Sequence, residues 1–438
     1  SASTGLKVVV LTYNNLLSKY ILELAVEAGD HNLQATTFHG WGLHLLESLG
    51  IRSRGGVVTD SAGARERTEL VQYALNTVTK YQPDLTPAPI ENFWARVKFL
   101  ADEFEWIKGL GKDRERYMNE PRTGRSAGVQ IQKRHREWIW AVYEKYNEML
   151  VNTGRFDFDD VALLLDQNLG RLPRAVRPAH ILVDEAQDLT AMQLKVMGRL
   201  PLKSLTVAAD KGQSIYRRNF SWAAVGINIR GRSRSLDRTF RSTKQIVRLA
   251  NSLQRHDPLV VRRDEEFVPA VEPDSEGPVP ELYTSPTLKA QVAQVVKWVA
   301  ARRRSFPDDT IGVIIPRRET MEEYGEALRQ VGINAQILST ETAAQVTSPG
   351  VKLVTFHSAK GLEFDHVAVT SLRDKTIPSE PPENASADDI EEHLATERRK
   401  VYVAMTRARL DLALFAVGPK FVSQFIEEMD GTLSRRMA

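Results

Sequence analysis

Cysteine is absent from this sequence of 438 residues. Its absence excludes disulfides, zinc–thiolate sites, iron–sulfur clusters and cysteine nucleophiles, and it fits a reducing, cytoplasmic location, which we expect. No apolar run reaches the roughly 20 residues of a membrane-spanning helix, so we expect no membrane partner. An excess of one charge is missing too, because 59 basic and 56 acidic side chains leave a net charge of +3. Bulk charge therefore does not indicate a nucleic-acid partner, and only localised groups could do so.

Short β-branched apolar runs recur along the chain, and several are followed by a helical pattern. These runs lie at residues 8–11, 180–183, 204–208, 311–315, 352–356, 366–370 and 412–417. Apolar runs that alternate with helices are typical of buried parallel strands, which predicts an α/β fold built on parallel sheets. Between residues 87 and 170 the strand pattern disappears and aromatic residues recur at helical spacing. We interpret this stretch as a helical insertion whose aromatic residues pack in a core.

Two adjacent carboxylates end one of the apolar runs, at Asp184 and Glu185 in the string DEAQD. A strand that ends in this way places acidic groups at the carboxyl edge of a parallel sheet, where ligands bind. In phosphoryl transfer to water, one carboxylate can hold Mg²⁺ while its neighbour orients the attacking water. The alternative is a solvated loop at the end of a strand.

Four further segments carry residues suited to phosphate chemistry. Gln213 follows another apolar run and could hydrogen-bond a γ-phosphate or the attacking water. Phe240 offers a flat ring, and Arg241 offers a fork of donors for phosphate oxygens. The strings VTFHSAKGLEF at 354–364 and ERRKVYVAMTRAR at 397–409 follow, and the second contains arginines that could reach a neighbouring domain's nucleotide. Alone, the segments around Gln213 and Arg241 would be interpreted as plain loops and helix starts.

Taken together and in this order, the segments resemble the UvrD/Rep-like branch of superfamily-1 DNA helicases. The matching strings are LTYN at 11–14, TFHG at 37–40, DEAQD at 184–188, DKGQSIY at 210–216, FRST at 240–243, TFHSAKGLEF at 355–364 and ERRKVYVAMTRAR at 397–409. The resemblance covers most of the chain. It implies an ATP-dependent 3′-5′ single-stranded DNA translocase or helicase, in which two RecA-like domains clamp ATP and Mg²⁺ between them.

The resemblance also implies a role for each residue of the nucleotide site. Asp184 would bind Mg²⁺, and Glu185 would be the general base for water. The contacts to the γ-phosphate would come from Gln213, Arg241 and Arg407. Phe240 would stack on the adenine in place of the family's usual tyrosine, and Glu363 would contact the ribose.

The DNA-binding residues follow from the same resemblance. The contacts to the backbone of single-stranded DNA would come from Thr12, Asn14, Thr37, His39, Thr355 and His357. Phe38 and Trp222 are candidates for stacking on bases. By residue type alone, the threonine, asparagine and histidine residues would equally suit helix caps and turns. The expected partners are single-stranded DNA or junctions of single-stranded and duplex DNA, and a protein partner or a fused N-terminal domain would be compatible with them.

Two departures from the family pattern shape the expected organisation. No G-x-x-x-x-G-K-S/T loop occurs, and the one Gly-Lys pair, at 111–112, is followed by Asp113. We expect the phosphate-binding loop immediately upstream of Ser1. The 108 residues between Thr243 and Val351 also leave little or no room for the family's helical 2B insertion.

We therefore expect a first RecA-like domain, called 1A, at 1–86 and 171–240, without its phosphate-binding loop. A helical 1B subdomain is expected at 87–170 and a second RecA-like domain, 2A, at 241–438. Two alternatives stay open at this point. One is a non-catalytic DNA-binding scaffold with a degenerate motor, and the other is the motor half of a nuclease–helicase fusion.

Overall fold

The structure is a computed structural model that describes most of the chain. The described residues are 7–12, 15–29, 32–61, 64–122, 131–210, 222–229, 231–234, 241–261, 270–339, 342, 346–381, 387–418 and 422–437. The predictions at Asn14, Gln213 and Phe240 lie outside them. The strands are β1 (Val8–Thr12), β2 (Leu33–Thr37), β3 (Asp60–Ser61), β4 (Ala64–Arg65), β5 (His180–Val183), β6 (Ser204–Val207), β7 (Glu281–Ser285), β8 (Thr310–Ile315), β9 (Ala335–Ile337), β10 (Gly350–Thr355), β11 (Phe364–Leu372), β12 (Ala408–Val417) and β13 (Arg435–Met437).

The helices separate and cover these strands. They are α1 (Asn15–Glu27), α2 (Phe38–Ser48), α3 (Glu66–Tyr81), α4 (Phe93–Leu110), α5 (Arg114–Asn119), α6 (Lys133–Asn152), α7 (Asp160–Asn168), α8 (Ala191–Arg199), α9 (Lys244–Gln254), α10 (Pro258–Val261), α11 (Leu288–Ser305), α12 (Met321–Gln330), α13 (Phe356–Ala359), α14 (Ala387–Met405) and α15 (Gln424–Glu428). In the described part of the chain, none of them is both long enough and apolar enough to cross a bilayer.

The first sheet has four parallel strands in the order β2-β1-β5-β6. Strand β5, which precedes the two acidic residues, therefore lies at the centre of the sheet beside β1. Helices α2, α7 and α8 pack on this sheet through an apolar core that includes Trp41, Leu165 and Val183. Because all four strands are parallel, their carboxyl ends meet at one edge, and the chain segments that leave this edge lie side by side.

The second sheet has seven parallel strands in the order β13-β7-β12-β11-β8-β10-β9. The apolar runs that predict strands after residue 300 lie in β8, β10, β11 and β12, so the prediction of an α/β fold with parallel sheets is confirmed. Strands β2, β7, β9 and β13 were not predicted. β9 and β13 have three residues each and lie at the two edges of the sheet, while β2 has the largely polar sequence LQATT, so no continuous apolar run marks these three.

Helices α3, α4, α5 and α6 form a third core, without strands, in the region where the sequence predicts a helical insertion. Phe104, Trp138 and Tyr146 are buried there, as the helical spacing of the aromatics predicts, whereas Trp94 is exposed. Helix α3 lies before residue 87, yet it packs against α4 and α6 in this core. The helical core thus recruits residues that the sequence pattern alone assigns to the preceding part of the chain.

The first and second sheets are joined by direct apolar contact. Leu16 and Leu17 of α1 belong to the same buried cluster as Phe356 and Leu362, which follow β10. Gly361 lies against this contact with a φ of +82°, and a Cβ atom placed on it would lie 2.4 Å from Leu17 Cδ2. A glycine is required here both by the left-handed backbone and by the close approach of α1.

Candidate active site

The carboxyl edge of the first sheet brings together several of the predicted residues. Thr12 ends β1 and is paired in register with Thr37, which ends β2. Asp184 follows β5 directly, and its N–H donates to the carbonyl of Leu11 at 2.9 Å. Asp210 follows β6 at the same edge. The topology therefore brings residues of four separated motifs into one row of strand ends.

Asp184 and Glu185 occupy the centre of that row in unlike environments. Burial, and then the neighbouring Glu185 charge, raise the pKa of Asp184 above its ordinary value. Glu185 has a left-handed backbone with φ 54° and ψ 39°, which is uncommon for a residue other than glycine. Such a conformation costs about 1–3 kcal/mol and persists only where its surroundings enforce it. Here Ala186 N–H donates to Ala208 O and Asp188 N–H to Glu185 O, both at 3.0 Å.

The side chain of Gln187 links the acidic residues to the end of β6. Its Nε2 donates to Glu185 Oε2, and its Oε1 accepts from the N–H of Asp210 at 3.0 Å. Gln187 itself is buried, and its two partners are partly buried. The first of the two strand-end segments is thereby tied to the second, which leads into Gln213.

Lys360 crosses from the second sheet to these acids. It follows α13, and its Nζ forms ion pairs with Asp188 Oδ2 and, at 3.2 Å, with Glu185 Oε2. The side chains of Lys360 and Asp188 are completely buried. Buried charges of this kind are stable only while paired, since a single buried charge has lost its hydration without compensation. The pair therefore couples the position of the second sheet to that of the acidic edge.

Three predicted residues from the second part of the chain lie beside Lys360. Arg241 Nε donates to Glu363 Oε2 at 2.6 Å, and both side chains are partly exposed. Arg407 is buried, and its guanidinium donates to the carbonyls of Val403 at 3.0 Å and Leu362 at 3.3 Å. Burial, and then the Arg241 charge, lower the pKa of Arg407 to about 10, so this arginine still carries its charge at neutral pH.

Electrostatic coupling shows that these groups form one cluster. Asp184 is stabilised in its charged form by Lys360 and Arg241. Arg407 is stabilised in its charged form by Glu185 and Glu363. The described members of the predicted nucleotide site are thus brought together between the two sheets. Asp184 and Glu185 lie on one side, and Arg241, Arg407 and Glu363 lie on the other.

Three residues of this cluster were missed as functional candidates. Gln187, Asp188 and Lys360 lie inside the strings DEAQD and TFHSAKGLEF, but no role was predicted for them. The sequence does show that they belong to motifs that follow predicted strands, and this signal could have marked them. It does not show that Lys360 pairs with Asp188 across the two sheets, because that pairing depends on how the sheets pack.

The predicted DNA-binding residues divide into capping, packed and open side chains. Thr37 Oγ1 accepts from Gly40 N–H at 3.2 Å, and Thr355 Oγ1 accepts from Ser358 N–H at 3.1 Å, so both cap a helix. His357 is exposed just after Thr355. Thr12 is buried at the end of β1. The capping alternative therefore describes both Thr37 and Thr355 in this arrangement.

The predicted base-stacking residues and His39 lie close to the first core. Phe38 is only 2 % exposed and packs in that core, so neither face of its ring is open to a base. Its prediction as a stacking residue rested on its place in the TFHG string, which does not show that this ring faces the core. His39 packs edge-on against the Phe158 ring at 5.2 Å, and Gln193 Nε2 lies 3.3 Å from its Nε2. Trp222 is half-buried against the same core.

The metal chemistry of the cluster suits a cation shared with phosphates. In the described residues, no group of three or more histidine and acidic side chains is placed to hold a metal alone. Mg²⁺ is usually held by one or two carboxylates together with phosphate oxygens and water. Asp184, a desolvated carboxylate at the strand end, fits that role.

Comparison with known proteins identifies the family of the two sheet regions. The UvrD/REP helicase N-terminal domain matches residues 6–226, which is half of the chain, and the UvrD-like helicase C-terminal domain matches residues 310–417. A "Probable DNA helicase" of Mycoplasma pneumoniae is 23% identical over 93% of this chain and 73% of its own length. "ATP-dependent DNA helicase UvrD2" of Mycobacterium bovis is 25% identical over 73% of this chain and 59% of its own length.

A third relative matches a shorter stretch. "ATP-dependent DNA helicase PcrA" of Staphylococcus epidermidis is 27% identical over 43% of this chain and 27% of its own length. The chain thus spans less than two thirds of two of these three relatives. The two family matches, which follow one another in the order of the two sheets, show that the chain belongs to the UvrD/REP family of helicases.

Proposed function

We propose that this protein is an ATP-dependent DNA helicase or translocase that hydrolyses ATP between its two sheets. The observation that carries the proposal is the opposition of charges across the interface. Asp184 and Glu185 lie at the carboxyl edge of the first sheet, and the cations that face them belong to the second part of the chain. Acids can hold a metal ion and a water, while cations stabilise the charge on a transferred phosphoryl group.

The hydrolytic step assigns one role to each acid. The oxygen of a water molecule attacks the γ-phosphorus and forms the new P–O bond, while the bond to the β,γ-bridging oxygen breaks and ADP leaves with its electron pair. Glu185 accepts the proton of the water. Mg²⁺, which Asp184 would hold, supplies charge neutralisation to the phosphates when it is bound.

The arginines are proposed to act from across the interface. In the structure, Arg407 donates to Val403 and Leu362, and Arg241 is paired with Glu363. Both sets of partners belong to the second part of the chain, so the arginines can exchange them for phosphate oxygens without breaking the first sheet. We expect this exchange to close the two sheets around ATP and hydrolysis to release them, which would drive movement with 3′-5′ polarity. Gln213 as a γ-phosphate contact and Phe240 as the adenine stack complete the site.

Single-stranded DNA is proposed to bind along the strand ends of both sheets. Thr12, Thr37 and His39 lie at this edge of the first sheet. Thr355 ends β10 of the second sheet, and His357 follows in α13. Asn14 and Trp222 complete the set. We leave Phe38 out of it because its ring is buried in the core. Helix-capping hydroxyls can also accept from ligand groups, so the caps at Thr37 and Thr355 are compatible with backbone contacts.

The domain division forms part of the same proposal. We keep 1A at 1–86 and 171–240, 1B at 87–170 and 2A at 241–438, and the packing of α3 with α4 and α6 supports an earlier start for 1B. Between residues 243 and 351, the described chain is largely taken up by α9, α11, α12 and strands of the second sheet. This supports little or no 2B insertion.

A second function is favoured by one observation. The 438 residues contain no phosphate-binding G-x-x-x-x-G-K-S/T loop, which a motor needs to hold the β- and γ-phosphates. A DNA-binding scaffold with a degenerate motor would not need that loop. The presence of Glu185, Gln213 and Arg407 favours the motor.

The proposal is tested by replacing Arg407 in the natural full-length protein. We expect Arg407→Ala to lower the DNA-stimulated rate of ATP hydrolysis by about 10³-fold or more, the scale of a lost arginine finger. Steady-state hydrolysis with saturating single-stranded DNA measures it. Arg329→Ala is the matched control, since Arg329 is an exposed arginine of α12 that pairs with Glu326. An Arg407→Ala protein that hydrolyses ATP at the unmodified rate would contradict the proposed role of Arg407.

A further inference from the structure

Gln187 is a buried polar side chain beside the first sheet, and apolar packing does not explain why a polar residue lies there. It lies two residues after Glu185, in the short turn that follows β5, and its side chain is directed between that acid and the end of β6. A small or apolar side chain could occupy such a turn. Instead, Gln187 places an amide there, and both its nitrogen and its oxygen form hydrogen bonds.

The two ends of the amide make different demands on the residue type. Nε2 donates to Glu185 Oε2, while Oε1 accepts from the Asp210 N–H at 3.0 Å. A carboxylate in this place could accept but not donate, and a lysine could donate but not accept. Asparagine has the same amide on a side chain shorter by one methylene. Both contacts at once therefore select glutamine.

A second donor reaches the same carboxylate oxygen. Lys360 Nζ lies 3.2 Å from Glu185 Oε2, so this one oxygen receives a donor from its own sheet and another from across the interface. The two donors restrain the Glu185 carboxylate through Oε2. Neither of them engages Oε1, so that oxygen is left to accept a proton.

We propose that Gln187 is a positioning residue for the general base: it holds Glu185 through Oε2 and ties it to the backbone at Asp210, where the segment of Gln213 begins. This inference rests on the proposed function. A base must be within hydrogen-bond reach of the proton that it takes, and a misplacement of about 1 Å can cost about 10²-fold in rate.

The experiment measures DNA-stimulated ATP hydrolysis of the natural full-length protein with Gln187→Met and Gln187→Glu. Methionine keeps the shape and loses both bonds, and glutamate keeps the acceptor but loses the donor and adds a like charge. We expect kcat to fall about 10- to 100-fold in both, as for other outer positioning groups, and KM for ATP to stay within about twofold. Gln187→Asn should recover part of kcat because the amide is retained.

A double-mutant cycle separates positioning from structure. If Gln187 acts through Glu185, then adding Gln187→Met to Glu185→Gln should cause no further loss of kcat. The matched control is Gln291→Met. Gln291 is a completely buried glutamine of α11 that donates to Phe415 O at 2.9 Å and accepts from Ser371 N–H at 3.1 Å. Its loss should lower the melting temperature and leave kcat unchanged.

The outcomes distinguish this inference from the function on which it rests. Glu185→Gln without effect on hydrolysis overturns both. Glu185→Gln inactive with Gln187→Glu at the unmodified kcat overturns the inference alone, and so does a further loss in the double mutant. If Gln187→Met does not fold, the near-isosteric Gln187→Glu replaces it. Its kcat, alone and combined with Glu185→Gln, then decides between the same outcomes.

Discussion

Two buried lysines in this molecule have the same chemistry and different neighbourhoods. Lys108, in the helical core, forms ion pairs at 2.8 Å with Asp157 and with Asp160. Lys360, between the sheets, forms ion pairs with Asp188 and Glu185. Each lysine is completely buried and each faces two carboxylates.

The difference lies in what else holds the carboxylates. Tyr146 OH donates to Asp157 at 2.8 Å, and the Lys108 ammonium lies 5.1 Å from the Tyr146 ring. Burial alone would raise the pKa of Asp157, but Lys108 and Arg67 outweigh it and lower the pKa to about 2. All of these partners lie between residues 67 and 160, where helices of the helical core meet the start of α7. The partners of Lys360 belong to the opposite sheet, so its ion pairs can be exchanged when the two sheets move.

The comparison shows that a buried ion pair does not reveal its role by its geometry. A pair whose members lie at one packed helix junction fixes that junction. A pair whose members come from two sheets depends on the relative position of those sheets. When one member is removed, the sheets can separate and water can hydrate the remaining charge.

The largest effect is expected from breaking the pair in the helical core. Asp157→Ala leaves Lys108 with Asp160 as its remaining ion-pair partner, and loss of one member of a buried pair costs about 3–5 kcal/mol of unfolding free energy. Denaturant unfolding followed by tryptophan fluorescence measures it. The control is Glu148→Ala, which removes an exposed pair with Lys145 and should cost less than about 0.5 kcal/mol. Equal effects of the two substitutions would contradict the comparison.

A smaller effect on stability is expected from breaking the pair between the sheets. Lys360→Met removes the ammonium that pairs with Asp188, but the sheets can separate and let water reach this carboxylate, so we expect a loss of about 2–3 kcal/mol of unfolding free energy. The separation should appear as an increased radius of gyration in small-angle X-ray scattering of this chain. Lys375→Met, which alters an exposed pair with Glu380, should leave the scattering unchanged. If the scattering of Lys360→Met is unchanged as well, the ion pairs of Lys360 do not hold the two sheets together.

Acid should weaken the helical core through Asp157. Because its pKa is lower in the folded protein than in the unfolded chain, the unfolded chain binds the proton first as the pH falls. The stabilisation is therefore present above the ordinary pKa of aspartate and is lost, by about 2 kcal/mol, as the pH falls towards 2. Unfolding curves between pH 5 and about 2 measure it. The Asp157→Asn protein should lack this component of the pH dependence.

The smallest effect on stability is expected at the apolar contact between the two sheets, where Gly361 lies against Leu17. Gly361→Ala and Gly332→Ala both place a side chain on a left-handed backbone, which costs roughly 1–2 kcal/mol in each. Only Gly361 also faces Leu17, while nothing lies within 4 Å of a Cβ at Gly332. Gly361→Ala should therefore lower the unfolding free energy by about 1 kcal/mol more than Gly332→Ala, by overpacking. Equal losses in the two variants would mean that the Leu17 contact adjusts without cost.

The sequence predicts the parts of this molecule that depend on local pattern. The buried parallel strands follow from continuous apolar runs, and Asp184 and Glu185 follow from their place at a strand end. Contacts that depend on packing were not predictable, such as the ion pair of Lys360 with Asp188 or the left-handed backbone of Glu185. Phe38 shows the same limit, since a motif string does not reveal which of its members faces the core. The roles of all the predicted site residues, including Gln213 and Phe240, stay predictions.

The central claim is that the acidic edge and the cations opposite it form an ATP-hydrolysing site controlled by DNA. The most direct test is the rate of ATP hydrolysis by the protein as its gene encodes it, with and without single-stranded DNA. We predict hydrolysis whose rate rises when DNA is added. DNA binding without ATP hydrolysis would contradict the claim and favour the scaffold.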